Sequence, residues 1–363
     1  MKTLFIAAGG GGDAFTAFAL SKCLINNECI IASFSWDRIM YDPTPGPRNA
    51  SDFFYYKQCG HYNALISSDS YLKKEGAKSF LPLISDYFGK SIYLLELYGG
   101  IKRLHLQIIE IVKLERIDEI IIVDVGGDIL AEGHESGLKS PLADASVLAA
   151  CKNIPIPISV WVAGCSLDGE LSKEEITILL DKLCINSTQH ISKTQAEQYL
   201  DAFRWLPSEA SALFFLSASG KKGVCEIRQD GFVVELSDFS STIYCLDYSF
   251  VYMNSIIAKA VSNSSSLKET ELIVKNITSI SELEIERKKQ ARTETWKNNC
   301  SNEELVQKLI RIGHKKNTEG IDYLTTRRVC EILKLKGSSR ADFLQYLNKF
   351  YGNHFISPLW ICK

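Results

Sequence analysis

The eleven cysteines of this sequence form no C-x-x-C pair and no zinc-type spacing, so neither a redox dithiol nor a structural zinc is encoded. They stand singly among apolar neighbours, the setting of buried reduced thiols. Nowhere does an apolar run approach the roughly 20 residues of a membrane span. The short apolar start is cut off by glycines and an acid before it makes a secretion signal. A surplus of positive charge is missing too: 41 basic against 43 acidic residues leave a net charge of −2. That excludes a dominant nucleic-acid surface. There is no Walker lysine, no nucleophile elbow and no H-E-x-x-H string, so no standard reaction is spelled out. Internal repeats are absent as well. These gaps lead to the expectation of a cytoplasmic protein that handles a small molecule, with no membrane and no nucleic acid as partner.

With 46% hydrophobic and 23% charged residues over 363 positions, the chain has the composition of an ordinary globular protein and the length for more than one unit. Apolar, β-branched runs at 4–8, 29–34, 92–97, 119–125 and 156–162 read as strands buried on both faces. Helix-periodic stretches at 101–116, 141–152 and 172–186 lie between the later ones. Such alternation predicts a parallel sheet wrapped by helices, with ligands at the carboxyl ends of the strands. After residue 220, short runs at 224–228, 232–236 and 242–246, with Asp230-Gly231 as a turn, read as an antiparallel extension of that sheet. The expected architecture is α/β: a Rossmann-like, doubly wound domain over residues 1–261, with a helical C-terminal segment over 262–363.

The first strand runs into Gly9, Gly10, Gly11, Gly12 and Asp13, and a helical pattern starts at once. Glycines let a ligand approach the backbone, and free N–H groups at a helix start favour an anion. The turn therefore reads as a cradle for a phosphate or carboxylate. Gly9, Gly11 and Ala14 also fit a dinucleotide-binding spacing, with Asp37, 23 residues after Ala14, as the ribose-binding acid. Asp13 places a negative charge where a pyrophosphate would lie.

A second strand ends the same way, in Asp124-Val125-Gly126-Gly127-Asp128, followed by Glu132, His134, Glu135 and a helix start at Ser140-Pro141 with Asp144 behind it. Carboxylates this crowded call for a cation, a basic partner or a shared proton. Asp124 and Asp128 are the candidate magnesium ligands, and Asp124, Asp128 and Glu135 are the candidate catalytic residues, holding a cation or acting as general base. Asp168 and Glu170 repeat the theme after a third strand, where Ser172 and Glu175 make a capping box. Ser208-Glu209-Ala210-Ser211 is either a fourth such loop or a helix cap. The proline-rich stretch 41–57, with Phe53-Phe54-Tyr55-Tyr56, is either a lid or a crossover with anchoring aromatics.

Taken together, the glycine-rich start, Val123-Asp124-Val125-Gly126-Gly127-Asp128-Ile129-Leu130 and its sequel Ser140-Pro141-Leu142-Ala143-Asp144 resemble domain-of-unknown-function family 1152, found in bacteria and archaea. Asp168-Gly169-Glu170-Leu171, Ser208-Glu209-Ala210-Ser211, the stretch 220–228 and Gly320-Ile321-Asp322-Tyr323 fit it too. The resemblance implies a Rossmann-like α/β fold and carries no reaction with it.

The leading expectation is an enzyme, a transferase or hydrolase, that binds a phosphate-bearing or nucleotide ligand with magnesium at these loops. One alternative is a dinucleotide-binding oxidoreductase, which needs Asp37 on a ribose. The other is a non-catalytic sensor or interaction protein, with the helix-turn-helix-like stretch from Asp322 to Arg328 serving dimerisation rather than DNA binding.

Overall fold

Along the central strands, consecutive residues point to opposite faces, and both faces are apolar. Leu4, Ile6, Ile120, Ile122, Val160 and Val162 enter one core. Phe5, Ala7, Ile121, Val123, Trp161 and Ala163 enter the other. A sheet apolar on both sides needs cover on both sides. The computed structural model describes residues 1–39, 41–183, 185–228, 231–294 and 300–363, and it shows that cover. Helices Gly100–Glu115, Pro141–Ala150, Lys173–Lys182, Ile256–Val261 and Leu267–Thr278 pack on one face. Helices Gly11–Leu24, Leu81–Phe88 and Glu209–Ala218 pack on the other. Phe15 pins the first of these by meeting the rings of Tyr87, Phe88, Tyr199, Phe203, Trp205 and Phe215.

The nine-stranded sheet runs Ile185–Gln189, Ile243–Asp247, Ile158–Ala163, Glu119–Val125, Lys2–Ala7, Glu28–Phe34, Ile92–Leu95, Asn63–Ile66 and Lys57–Cys59. The five middle strands are parallel; the two at each edge are antiparallel. From Lys2–Ala7 the chain builds outward first through Glu28–Phe34 and later, in the other direction, through Glu119–Val125. Connections that diverge in this way leave a crevice above the carboxyl ends of the two central strands. The chain is thus α/β, with the layering that its strand pattern predicts.

Three expectations change. The runs at 224–228 and 232–236 do not extend the main sheet. As Gly223–Ile227 and Phe232–Leu236 they belong to a second, five-stranded sheet with Tyr323–Thr325, Leu359–Ile361 and Phe355–Ile356. Only Ile243–Asp247 joins the main sheet, antiparallel to Ile158–Ala163. The second sheet draws strands from both sides of residue 261, so the segment expected to be helical carries strands. Its own core holds Leu305, Leu309, Leu324, Val329, Phe343 and Trp360. The helix read over 172–186 stops at Lys182, and Ile185–Gln189 is an edge strand instead. Asp230, read as a turn residue, lies outside the described residues. No described helix is long and apolar enough to cross a membrane, and the ten described cysteines are all free.

Candidate functional site

The carboxyl edge of the parallel strands opens into a cavity of about 600 Å³. Its floor is acidic, and each acid is delivered by a strand end. After Lys2–Ala7 the chain turns through four glycines into helix Gly11–Leu24, with Gly10 as N-cap. Asp13 folds back so that one carboxylate oxygen accepts the Gly9 N–H at 2.9 Å. The glycines line the cavity, yet close internal approach is what demands them. A Cβ on Gly10 would stand 2.2 Å from the Trp36 carbonyl oxygen, and one on Gly12 would stand 2.2 Å from the Ser208 hydroxyl. One on Gly11 would meet Asp37 and Phe80 at 3.2 and 3.4 Å. The cradle read from the sequence is therefore, in the first place, a packing requirement.

Asp124 is buried one residue before the end of strand Glu119–Val125 and accepts the Gly127 N–H at 2.8 Å. Gly126 adopts φ 141°, and its missing Cβ leaves room for the Asp168 carboxylate, 2.4 Å from where that atom would be. Asp128 follows and lines the cavity. Asp144 faces it from the first turn of helix Pro141–Ala150, whose N-cap is Ser140. The Ser140 hydroxyl makes no capping bond; it donates to Glu170 at 2.6 Å.

Two carboxylate groups result. In one, Asp13, Asp124 and Asp144 bring an oxygen each within 4.8 Å of one another; in the other, Asp128, Asp168 and Glu170 do the same. Asp124 and Asp128, paired as metal ligands in the sequence reading, thus fall into different groups. Burial, with Asp168 nearby, pushes Asp13 up to about 7. Burial together with Glu170 does the same for Asp168. Asp124 and Asp128 are driven well above the usual carboxylate range by burial and then by Asp144, and Asp144 by burial and then by Asp13 and Glu282.

Another part of the cavity wall is basic. Arg38 follows strand Glu28–Phe34, Arg228 follows Gly223–Ile227, Lys289 sits on helix Glu282–Glu294, and Arg327 and Arg328 open helix Thr326–Leu333. Most of these cations are held by buried glutamates. Arg327 pairs with Glu209 at 3.2 Å, Arg328 with Glu226 at 2.6 Å, and Arg228 with Glu170 at 3.3 Å. Arg38 forms no ion pair with a described residue. Burial first, then Arg327, lowers its guanidinium to about 10. Burial and the neighbouring arginines lower Lys289 to about 8. Against these, Glu209 is held below the usual range, because Arg327 and Arg38 outweigh its burial.

The other residues singled out in the sequence fall as follows. Asp37 lines the cavity, accepts the Phe80 N–H at 3.2 Å, and is pushed up to about 7 by burial. Glu135 does not line the cavity; its carboxylate clamps its own loop through the N–H groups of Glu132 and Gly133 at 2.7 and 2.8 Å. Ser208 caps helix Glu209–Ala218, and Glu209 turns away from that helix to hold Arg327. In the proline-rich stretch, the Gly46 N–H donates to Glu286 at 2.8 Å. The same carboxylate takes the Trp36 indole N–H at 2.8 Å, so helix Glu282–Glu294, which lines the cavity, is fastened to the segment around Trp36 and Gly46. The sequence reading gave none of Arg228, Lys289, Arg327 and Arg328 a place in the site: Arg327 and Arg328 fell in the stretch read as a dimerisation element, and Arg228 only in a string carrying the family resemblance. Arg38, next to Asp37 at a strand end, was within reach of the same strand-end rule.

Residues 4–290 match the family described as protein of unknown function, DUF1152. The chain belongs to that family. Comparison with curated proteins gives no match, and comparison with solved structures gives none either. The family match covers every carboxylate of the floor, together with Arg38, Arg228 and Lys289, and stops before Arg327 and Arg328.

Proposed function

We propose that the protein is an enzyme acting on a phosphate-bearing ligand, most fully a nucleotide, together with a divalent cation held by the carboxylate floor. One observation carries this reading: a single cavity sets buried carboxylates from three strand-end loops and one helix start against a wall of arginines and a lysine. A ligand that suits both walls has anionic oxygens for the guanidinium groups and a counter-cation for the carboxylates. The volume of about 600 Å³ lies within the range of small-molecule sites. Trp36, Ile39, Phe80, Leu206 and Pro207 add apolar lining suited to the organic part of such a ligand.

In this reading Arg38 and Arg228 bind and orient the phosphate oxygens and stabilise charge that develops there. A floor carboxylate takes the proton of the attacking water or hydroxyl. Helix Glu282–Glu294 excludes water from the cavity. A bound divalent cation would supply charge neutralisation and a more acidic water. Hydrolase or transferase chemistry on a phosphate ester or anhydride follows from that set.

A thermal-shift panel of nucleoside mono-, di- and triphosphates, nicotinamide dinucleotides and inorganic phosphate, each with and without magnesium, tests the reading. Binding to the native state alone stabilises by about 2.7 kcal/mol at a hundredfold excess over the dissociation constant. A shift that needs both nucleotide and magnesium supports it. A shift with nicotinamide dinucleotides alone turns the assignment to the oxidoreductase alternative. Stabilisation without turnover makes the protein a sensor. No shift with any phosphate compound removes the proposal.

A further inference from the structure

The two carboxylate groups on the floor are chemically unequal. In the Asp128, Asp168 and Glu170 group, protein donors already answer the charge. Glu170 accepts from the backbone N–H groups of Lys139 and Ser140 at 2.7 and 2.9 Å, from the Ser140 hydroxyl at 2.6 Å, and from Arg228 at 3.3 Å. Asp168 accepts the Glu170 N–H at 2.9 Å, and the Ser140 hydroxyl lies 3.4 Å from Asp128. An arginine is thus built into this group, which serves as its anchor.

The Asp13, Asp124 and Asp144 group has no such partner. Among the described residues its side chains accept hydrogen bonds from backbone N–H groups and from no side chain, as from Gly9 to Asp13 and from Gly127 to Asp124. No basic side chain forms an ion pair with any of the three among the described residues. Asp144 is 5% exposed and faces the cavity, and its Oδ1 has no hydrogen-bond partner. A buried carboxylate oxygen without a donor is costly unless something absent from the protein itself completes it. Three carboxylate oxygens within 4.8 Å of one another suit a hard divalent cation that keeps part of its water shell.

We infer that the divalent cation is bound by Asp13, Asp124 and Asp144, while Asp128, Asp168 and Glu170 form an internal block that holds Arg228 for the anionic end of the ligand. This deepens the function proposed above and rests on it for the nature of the ligand, though the cation site itself does not need a nucleotide. The cation then binds between the first strand, the fourth parallel run and the start of helix Pro141–Ala150, with the arginine block beside it. The class of ligand that spans both is a metal-chelated phosphate.

The test titrates the full chain with Mn²⁺ alone, following free Mn²⁺ by electron paramagnetic resonance, for wild type, Asp144→Asn, Asp13→Asn and Glu170→Gln. Circular dichroism and melting curves establish that each variant is folded, and Asp13→Asn stands in where Asp144→Asn is not. The expected result is one Mn²⁺ site in wild type, with a loss of affinity at Asp144 and Asp13 about tenfold or more beyond the loss at Glu170, a difference of about 1.4 kcal/mol. Equal losses, or a larger loss at Glu170, overturn the assignment. So does a wild type that binds no Mn²⁺. If wild type binds no Mn²⁺ but shows a nucleotide shift without metal, the cation site falls and the phosphate reading stands. If the Asp144-dependent Mn²⁺ site is present and no phosphate compound binds, the site stands and the proposed function falls.

Discussion

The floor and the basic wall of the cavity handle buried charge in opposite ways. On the wall, Arg327, Arg328 and Arg228 are each matched to a buried glutamate within 3.3 Å. On the floor, Asp13, Asp124 and Asp144 face one another with backbone N–H groups such as those of Gly9 and Gly127 as donors. Apart from Arg38, the arginines of the wall are paired within the protein; this trio of acids has no ion pair among the described residues. A surface satisfied by its own partners contributes to stability, whereas crowded acids reduce it, and that loss is tolerated where binding repays it. The two sides should therefore answer to mutation and to pH with opposite signs.

The largest effect belongs to the wall. Glu209→Ala removes one of the two carboxylates that hold Arg327, leaving it Glu331 at 3.3 Å, and also strips acceptors from Thr325 and the Arg228 N–H. Losing these contacts costs about 3 kcal/mol, the low end for a broken buried pair because Glu331 remains, and chemical denaturation should show the midpoint falling accordingly. A change within error would mean that the wall is not self-supporting.

pH comes next. Asp37 ionises only near pH 7 in the folded protein, having been raised from 3.8 by burial. A raised carboxylate makes the folded state bind more protons than the unfolded one between those values. Its contribution is therefore fully present below about pH 4 and is lost as pH rises through 7. Asp168 is shifted the same way to about 7. The metal-free protein should melt several degrees lower at pH 8 than at pH 5.5, and Asp37→Asn should flatten part of that slope. Glu209 has the opposite sign: it is held low by Arg327, so its contribution is lost only as pH falls below the usual glutamate range. A melting temperature that rises from pH 5.5 to 8 would break the contrast.

On the floor itself, Asp144→Asn removes like charge and keeps the shape. At pH 8 the metal-free variant should be more stable than wild type by about 1 kcal/mol. Differential scanning calorimetry that finds it less stable would make Asp144 a structural partner.

The smallest effect concerns the glycine turn. An alanine at Gly11 meets Asp37 at 3.2 Å and Phe80 at 3.4 Å, a crowding that side chains absorb. Gly11→Ala should change stability by less than about 1 kcal/mol, since alanine also favours the helix. Gly10→Ala, aimed at the fixed Trp36 carbonyl 2.2 Å away, should cost visibly more. Equal effects in parallel melts would show that the glycines are not there for packing.

What was legible in the sequence follows the same divide. The five parallel strands announce themselves because each is apolar on both faces, and the end of such a strand fixes where the next polar residues fall. Asp13, Asp124, Asp128 and Asp168 could be placed at one edge from local strings alone. The basic wall could not. Arg228 reaches the cavity because Gly223–Ile227 pairs with Tyr323–Thr325, about a hundred positions further on, and nothing near either run signals that pairing. Glu135 misled for a related reason: its neighbours in sequence are acidic, but its carboxylate is used up by its own loop. Gly9–Gly12 drew attention to the right edge, although close packing against Trp36 and Ser208 accounts for Gly10 and Gly12.

The parallel pairing of Cys225 with Tyr323 and Glu226 with Leu324 also sets an order of events. A chain emerging from the ribosome presents its amino end first and folds in units as they are completed. The acids at 13, 124, 144, 168 and 170 have all appeared long before Arg327 and Arg328, which arrive with the strand at 323–325. A nascent main sheet thus carries its crowded acids before the last arginines are synthesised.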